Sequence, residues 1–439
     1  MLKLYNLSIL SLLLLLSVQR GGAQSVSWAF LSDMPVAVSN NAVAAATVAG
    51  RTYVFSFAGI GASKDWDDIH LNGFRYDVEM GSWDAIPPLP DPVGGKIAAA
   101  ASTVKNKIYI IGGYHVASDY TETSSNKVHV YNPEINAYEP DGTDIPIPID
   151  DHVQAVWRDS LIYVISGWSN TANVPNVQIY NPATDTWMSG TPVPATSSWK
   201  VFGGSGVIVG DTIYYAGGAK SIGNFGPTTH FRKGAINPDN PTEIEWIGAT
   251  NAHAQGYRMA AGVFEGQPFW LGGSADTYNF DGIAYNGSGG VAPLGRLLGY
   301  NPTDGQLTEY NDQISPVMDL RGVAQISENQ FIIAGGMTTD QTVSKQTMLV
   351  TIDYIQGVTS PYSSNVSHLI HPNPVANWLQ IEEEGFFDVV IYNTVGQPLL
   401  SLPSHSGRIN ISRLPSGHYY IVLSRAGVVV AREGFVVIR

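Results

Sequence analysis

Short apolar runs recur between residues 53 and 336, and each ends in a pair of small residues. They are Tyr53-Val-Phe-Ser-Phe-Ala-Gly59, Ile108-Tyr-Ile-Ile-Gly-Gly113, Ile162-Tyr-Val-Ile-Ser-Gly167, Ile213-Tyr-Tyr-Ala-Gly-Gly218, Phe269-Trp-Leu-Gly-Gly273 and Phe331-Ile-Ile-Ala-Gly-Gly336. Taking the first small residue of each pair, the copies lie 54, 54, 51, 55 and 63 positions apart. Runs of β-branched and aromatic residues bounded by turn formers predict buried strands. A second element follows each of the first five and ends in a turn: Tyr76-Asp, Tyr131-Asn-Pro, Tyr180-Asn-Pro, Ile236-Asn-Pro and Tyr300-Asn-Pro. Asn, Asp and Pro suit that position. An aromatic then opens a further strand (Trp83, Tyr138, Trp187, Trp246, Tyr310), at offsets of 7, 7, 7, 10 and 10. These aromatics are expected to pack between sheets. A period near 50 residues is what one four-stranded propeller blade needs. The paired small residues are expected to let one blade's backbone approach the next near the crowded axis.

Counting strands predicts how the ring closes. Six second strands and six third strands are present, the last third strand running from Met348 to Tyr354, but only five fourth strands follow internally. The sixth is expected at the N-terminus, where Val26-Ser-Trp28 precedes Met34-Pro35 much as Trp187 precedes Thr191-Pro192. An N-terminal strand that completes the last blade would hide edges that an open array exposes. The small-pair strands and the Tyr-Asn-Pro-x4-Trp pattern together resemble kelch repeats over about residues 25–355. That resemblance implies a fold and leaves activity open, since kelch propellers serve as enzymes, lectin-like binders and protein scaffolds.

The ends read differently. Lys3 precedes an apolar run, Ile9 to Val18, too short to span a bilayer, and Gly21 and Ala23 follow at the −3 and −1 positions before Gln24. This predicts a secretory signal peptide over residues 1–23. No other stretch is long and apolar enough for a membrane helix, so an integral membrane protein is not expected. After residue 357 a Ser/Asn-rich linker is expected over 358–367, followed by a small β-sandwich over 368–439 with Pro, Gly and Asn turns. Here His371-Pro-Asn-Pro-Val-Ala-Asn377, Val389-Val-Ile-Tyr-Asn-Thr-Val-Gly-Gln397 and Ile409-Asn-Ile-Ser-Arg-Leu-Pro-Ser-Gly-His-Tyr-Tyr-Ile-Val-Leu423 occur in order. They resemble the type A C-terminal sorting domain of Bacteroidota proteins that leave by the type IX secretion system. The resemblance implies export by that machinery, removal of this domain, and an extracellular or surface-attached mature form. The fold expected for the whole is therefore all-β: a six-bladed kelch β-propeller (residues 24–357) closed by an N-terminal strand, then a small Ig-like β-sandwich.

Composition narrows the partners. The net charge is −14, from 23 basic and 37 acidic residues, which argues against a nucleic-acid binder. There is no cysteine, so disulfides, thiolate zinc sites and a cysteine nucleophile are excluded. Galactose oxidase, a kelch relative, needs a Cys–Tyr crosslink beside its copper, so that chemistry is excluded too. No HExxH pair, GxSxG elbow or Walker loop is present. Asp65, Asp67 and Asp68 match no calcium-loop spacing. No metal and no cofactor is expected. Closed blades leave no edge that demands a partner, so a monomer is expected.

In a propeller, residues just before the innermost strands converge on the central channel. These positions hold Asn40, Asn41, Lys96, Asp150, Asp151, His152, Trp199, Lys200, Tyr257, Arg258, Asp319 and Arg321. One reading is a hydrogen-bonded ring that satisfies buried polar groups. The other is a cradle, in which Lys96, Lys200, Arg258 and Arg321 converge beside the Asp151–His152 pair on a carboxylated ligand. The loops between second and third strands carry Trp66, Tyr114-His115, Trp168, Phe225 and Tyr278-Asn-Phe280 beside Asn and Asp. Aromatic faces next to paired donors and acceptors suit sugars. The function expected is non-catalytic glycan or glycoconjugate binding through Trp66, Lys96, His115, Asp151, His152, Trp168, Trp199, Lys200, Tyr257, Arg258 and Arg321. The alternative is activity like that of the sialic acid mutarotases, which are six-bladed kelch proteins, with Asp151, His152 or Glu265 as acid and base. A third is a protein-interaction or adhesin module.

Overall fold

In the computed structural model, residues 24–354, 370–381, 385–393, 398–425 and 428–439 are described. The expected signal peptide and linker lie outside these residues. Chain contacts separate Ser25–Asp353 from a unit containing the C-terminal residues. Ser25–Asp353 contains six main antiparallel sheets, which we number as blades 1 to 6 in chain order. Their innermost strands are Ala42–Val48, Ile97–Val104, Val153–Trp157, Ser205–Val209, Ala260–Phe264 and Ala324–Gln325. Blade 6 takes its outermost strand, Gln24–Phe30, from the N-terminus, paired beside Thr347–Tyr354. The missing strand inferred from the repeat count is thus supplied as expected.

Backbone hydrogen bonds stitch each blade to the next. The second residue of every small pair donates its N–H to a carbonyl in the loop before the next innermost strand. Gly59 donates to Lys96, Gly113 to Ile149, Gly167 to Val201, Gly218 to Gly256, Gly273 to Val317 and Gly336 to Val38, all at 2.7–3.1 Å. The last of these returns to blade 1 and closes the circle. The first residue of the pair adopts positive φ, including Ala58 (55°) and Ser166 (52°) where glycine is absent. A Cβ on Gly217 would strike the carbonyl oxygen of Gly256.

A second circle lies at the channel. Asn40, Ala98, Asp151, Gly203, Arg258 and Asp319, one per blade, share φ values between 47° and 65°. Asp151 N–H donates to Ala98, Gly203 to Asp151, Arg258 to Gly203, Leu320 to Arg258 and Asn40 to Asp319, at 2.7–3.1 Å. Between blades 1 and 2 the Asn40 side chain substitutes, its Oδ1 accepting from Ala98 N–H at 3.1 Å.

Apolar side chains fill the wedges between blades. Phe55 and Phe57 of blade 1 pack on Ile108, Ile110 and Tyr131 of blade 2, and Tyr163 and Ile165 of blade 3 on Ile213 and Tyr215 of blade 4. The fourth-strand tryptophans also reach backward. Trp83 donates to Thr347 Oγ1 at 2.9 Å, Trp187 to the Thr143 carbonyl at 2.8 Å and Trp246 to that of Thr191 at 3.0 Å.

The C-terminal unit is a sandwich. One sheet holds Ile370–His371, Trp378–Ile381 and Arg408–Asn410; the other holds Phe387–Asn393, Pro398–His405, Gly417–Arg425 and Val428–Val437. Leu379 and Ile409 of the first share a core with Val389, Ile391, Ile421 and Leu423 of the second.

Two glycine substitutions separate backbone conformation from inter-blade approach. Gly210 and Gly217 both have positive φ, but nothing lies within 4 Å of a Cβ on Gly210. Gly210→Ala is expected to cost roughly 1 kcal/mol, and Gly217→Ala roughly 2–4 kcal/mol, read from urea unfolding of the two variants. Equal losses would mean that the close approach between blades 4 and 5 carries no weight.

Candidate functional site

At the loop end of the channel, Arg258 is 1% exposed. Its Nε and Nη2 donate to Asp151 Oδ1 and Oδ2 at 3.1 and 2.6 Å, and Nη1 donates to Asp319 Oδ1 at 2.8 Å. The Tyr257 and Tyr278 rings stand 5.1 and 5.5 Å from the guanidinium carbon. Burial alone would lower the Arg258 pKa, but Asp151, Tyr257 and Asp319 more than reverse this. Arg321 meets Asp151 at 3.4 Å and donates to the His152 carbonyl at 2.8 Å. Burial, and then the Arg321 charge, pushes His152 down to about 3, so its imidazole is neutral at physiological pH. His152 Nε2 bonds Gln154 Oε1 at 3.0 Å, and Nδ1 has no partner. Asp150, fully buried, is pushed up by desolvation and by Asp151 beside it, against the pull of the Ser124 hydroxyl.

A long loop of blade 5 covers this cluster. It leaves the ring after Leu271, returns at Leu297, and crosses the channel mouth, so that Phe280 packs on Ile60 and Ile69 of blade 1 and Ile97 and Tyr114 of blade 2. Tyr278 and Tyr285 of the same loop join Trp168, Phe202 and Phe225 in an aromatic roof. Trp168 has its ring centroid 5.6 Å from each of Phe202 and Phe225. Beside the roof lies a cavity of 310 Å³ lined by Ser63, Lys64, Asp65, Tyr120, Glu122, Asn279, Phe280 and Asp281. Tyr120, 57% exposed, donates to Asp65 Oδ1 at 2.8 Å, and Trp66 next to Asp65 is 37% exposed. The Glu122 carboxyl is pushed up by desolvation, with Asp151 adding to the shift and Arg258 opposing it.

The side chains selected from sequence fall in several separate places. Asp151, His152, Tyr257, Arg258 and Arg321 do come together, but as an internally paired cluster. Lys96 is spent elsewhere: wholly buried, it sits 2.5 Å from Asp91, with Ser125 Oγ at 3.1 Å. His115 closes the same knot, with Nδ1 2.9 Å from the Gly95 carbonyl and Nε2 3.6 Å from Asp91. Four converging cations are therefore not what the channel holds. Trp199 lies in the core between blades 3 and 4, against Trp246 and His230, and the neighbouring Lys200 lines neither cavity. Glu265 is exposed in the tight turn after Phe264, at the opposite end of blade 5's innermost strand from Arg258. Trp66 remains exposed at the loop face. Tyr120 and Glu122 were not selected; an aromatic and an acid within the long loop 117–125 of blade 2 are the signal that marks them.

Comparisons with known proteins agree with this architecture. Residues 98–140 match the Kelch motif family, and residues 369–436 match the secretion system C-terminal sorting domain. Human Kelch repeat and BTB domain-containing protein 12 is 28% identical over 134 residues, 28% of this chain and 20% of that protein. Kelch-like protein 25 of Xenopus tropicalis is 24% identical over 181 residues, 39% of this chain and 28% of that one. The matches thus span under a third of those relatives. The solved structure of YjhT superposes with a TM-score of 0.58 at 16% identity, over 74% of this chain and 99% of that one. The chain carries a kelch propeller and a C-terminal sorting domain, and it is secreted by the type IX route.

Two variants test the cluster. Arg258→Met leaves Asp151 and Asp319 buried without their shared cation and is expected to cost about 3–5 kcal/mol at pH 7. The loss should shrink at pH 5, where protonation relieves Asp319, whose carboxyl burial already pushes up. His152 titrates near 6.5 unfolded and about 3 folded, so over this window the unfolded chain holds more protons. Its contribution to stability is full above about 6.5 and falls with pH, by up to about 1.4 kcal/mol per unit, until about 3. His152→Gln should flatten the pH dependence of the unfolding free energy between pH 6 and 4. A curve parallel to wild type would show that His152 is not held neutral.

Proposed function

We propose that the secreted propeller binds a glycan or glycoconjugate on its loop face, without catalysis, in the cavity between Asp65, Tyr120, Glu122 and Asn279. The observation that carries this reading is the cavity itself. It is recessed, 310 Å³ in volume, and sets the exposed Tyr120 ring beside carboxylate and amide groups from three blades. Flat rings take the C–H face of a sugar, while carboxylates and amides take its hydroxyls. A recessed polar cavity favours a sugar over a polypeptide, which would need a broader and flatter apolar surface.

The sign of the charge narrows the ligand. Asp65, Glu122 and Asp281 outnumber Lys64 around the cavity, and Arg258 is already held by two carboxylates beneath the roof. A neutral or amine-bearing sugar suits this face better than a carboxylated one. The mutarotase reading has less support. It needs an acid and a base around one reachable void, and of Asp151, His152 and Glu265 only His152 lines a cavity.

Saturation-transfer NMR of the secreted protein against neutral, amine-bearing and carboxylated sugars tests this reading. Transfer to neutral or amine-bearing sugars is expected. Tyr120→Ala should weaken the binding about tenfold, and Trp66→Ala severalfold. Trp168→Ala should act only through the roof it supports. Transfer that survives the combined Trp66→Ala and Tyr120→Ala substitutions would move the ligand to another face.

A further inference from the structure

The channel through the ring is sealed at one end and open at the other. At the loop end, Asn40, Ala98, Asp151, Gly203, Arg258 and Asp319 are all buried, and the blade 5 loop lies across them. In blades 4 and 5 the innermost strand is buried at its loop end and half-buried beyond it. Ser205 is buried and Gly206 to Val209 are half-buried; Ala260 is buried and Ala261 to Val263 are half-buried. The open part is a cavity of 390 Å³, lined by all six innermost strands and reached from the turn face. Its walls are mostly Ala, Gly, Ser and Val, and each innermost strand is an edge strand of its blade. Small side chains keep the lumen wide, and the edges of the innermost strands border it.

We propose that this cavity is a second binding site, for a small oxyanion (a carboxylate or phosphate) held by the Arg321 guanidinium at its inner end. Among the described residues that line the cavity there is no Asp or Glu, and Arg321 is the one permanent cation. The other ionisable lining residue, His152, is held neutral and leaves the lumen's charge to Arg321. Asp151 cancels that charge only in part, because its two oxygens lie on Arg258 at 2.6 and 3.1 Å and only one approaches Arg321, at 3.4 Å. The remaining Arg321 bonds go to backbone carbonyls, of His152 at 2.8 Å and Ala99 at 3.5 Å. Burial lowers the Arg321 pKa more than Asp151 raises it, so the guanidinium, still charged, is short of the counter-charge that an arriving oxyanion supplies. Guanidinium N–H groups match the paired oxygens of a carboxylate or phosphate, which a point charge does not. This site does not depend on the loop-face reading, since the two cavities share no lining residue.

The test titrates the secreted protein with sodium acetate and, separately, sodium phosphate, following the Arg321 Nε–H signal by NMR, with sodium chloride as the ionic-strength control. Saturable movement of that signal with either probe is expected and identifies which oxyanion the lumen takes. Arg321→Gln should weaken the binding at least about tenfold. Because Arg321→Gln removes a bond to Asp151 and could impair folding, Val207→Trp provides a second arm. Its side chain blocks the lumen and leaves Arg321 in place, and it should weaken binding as much without altering glycan transfer at the loop face. A signal that answers neither probe beyond chloride, or binding that Val207→Trp leaves unchanged, overturns the proposal.

Discussion

Everything in the propeller depends on the backbone hydrogen bonds that pass from blade to blade around the axis. A sheet pairs its own strands, but the second residue of each small pair and the residue at the channel circle reach across to the neighbouring blade for a backbone partner. Those groups are buried, and an unpaired buried amide costs more than a made bond returns. The neighbouring blade supplies the partner, and the same contact repeated six times leaves no end. The geometry places three positive-φ residues in each blade, two in the small pair and one at the channel circle, which is why small pairs recur in the sequence and why Ala58 and Ser166 adopt positive φ where glycine is missing. Closure also explains the borrowed strand. Without Gln24–Phe30, blade 6 would expose the edge of Thr347–Tyr354.

The same constraint governs the channel. Ring positions must be buried to protect their bonds, so polar side chains there have to pair among themselves. Asp151, Arg258 and Asp319 come from three different blades and meet at the axis, where one guanidinium serves two carboxylates. A buried charge network of this kind adds little net stability, yet it is costly to break. Removing any member strands the others. The cluster thus fixes which blades face each other across the channel, and it takes from the loop face the cation that would otherwise greet a ligand.

Much of this was legible before any coordinates. Periodicity named the blades because each needs the same length of chain, and the absent sixth fourth strand pointed to the N-terminus. The likeness of His371–Asn377 and Ile409–Leu423 to a sorting domain held for the same reason: dense local motifs survive without long-range information. Side-chain pairing was not legible. Arg258 finds Asp151 at a separation of 107 residues, and Lys96 finds Asp91 only because the intervening turn brings the two together in a dry pocket. Spacing gives the address of such a residue and not its partner. The loop of blade 5 carried a hint in its length, since the last repeat interval is 63 where the others run from 51 to 55. That loop spans the mouth, and Tyr278 and Phe280, read as ligand-facing aromatics, are buried to hold it there. Trp199 fell for a related reason. A tryptophan before an innermost strand either lines the channel or fills the wedge, and only packing decides which.

The two ends of the ring are left with opposite chemistry. Sealing one end with the blade 5 loop places three carboxylates and one lysine around a recess beside it, while the lumen behind the seal contains Arg321 and no carboxylate. Both follow from where burial falls. At the loop end the cation lies under the roof, paired on both sides, and acids line the recess at the surface. At the turn end the innermost strands of blades 4 and 5 are half-buried, and Arg321, the second cation of the central cluster, lies at the inner end of the lumen. A molecule with this polarity can hold ligands of opposite sign on its two faces without either site requiring the other to be filled.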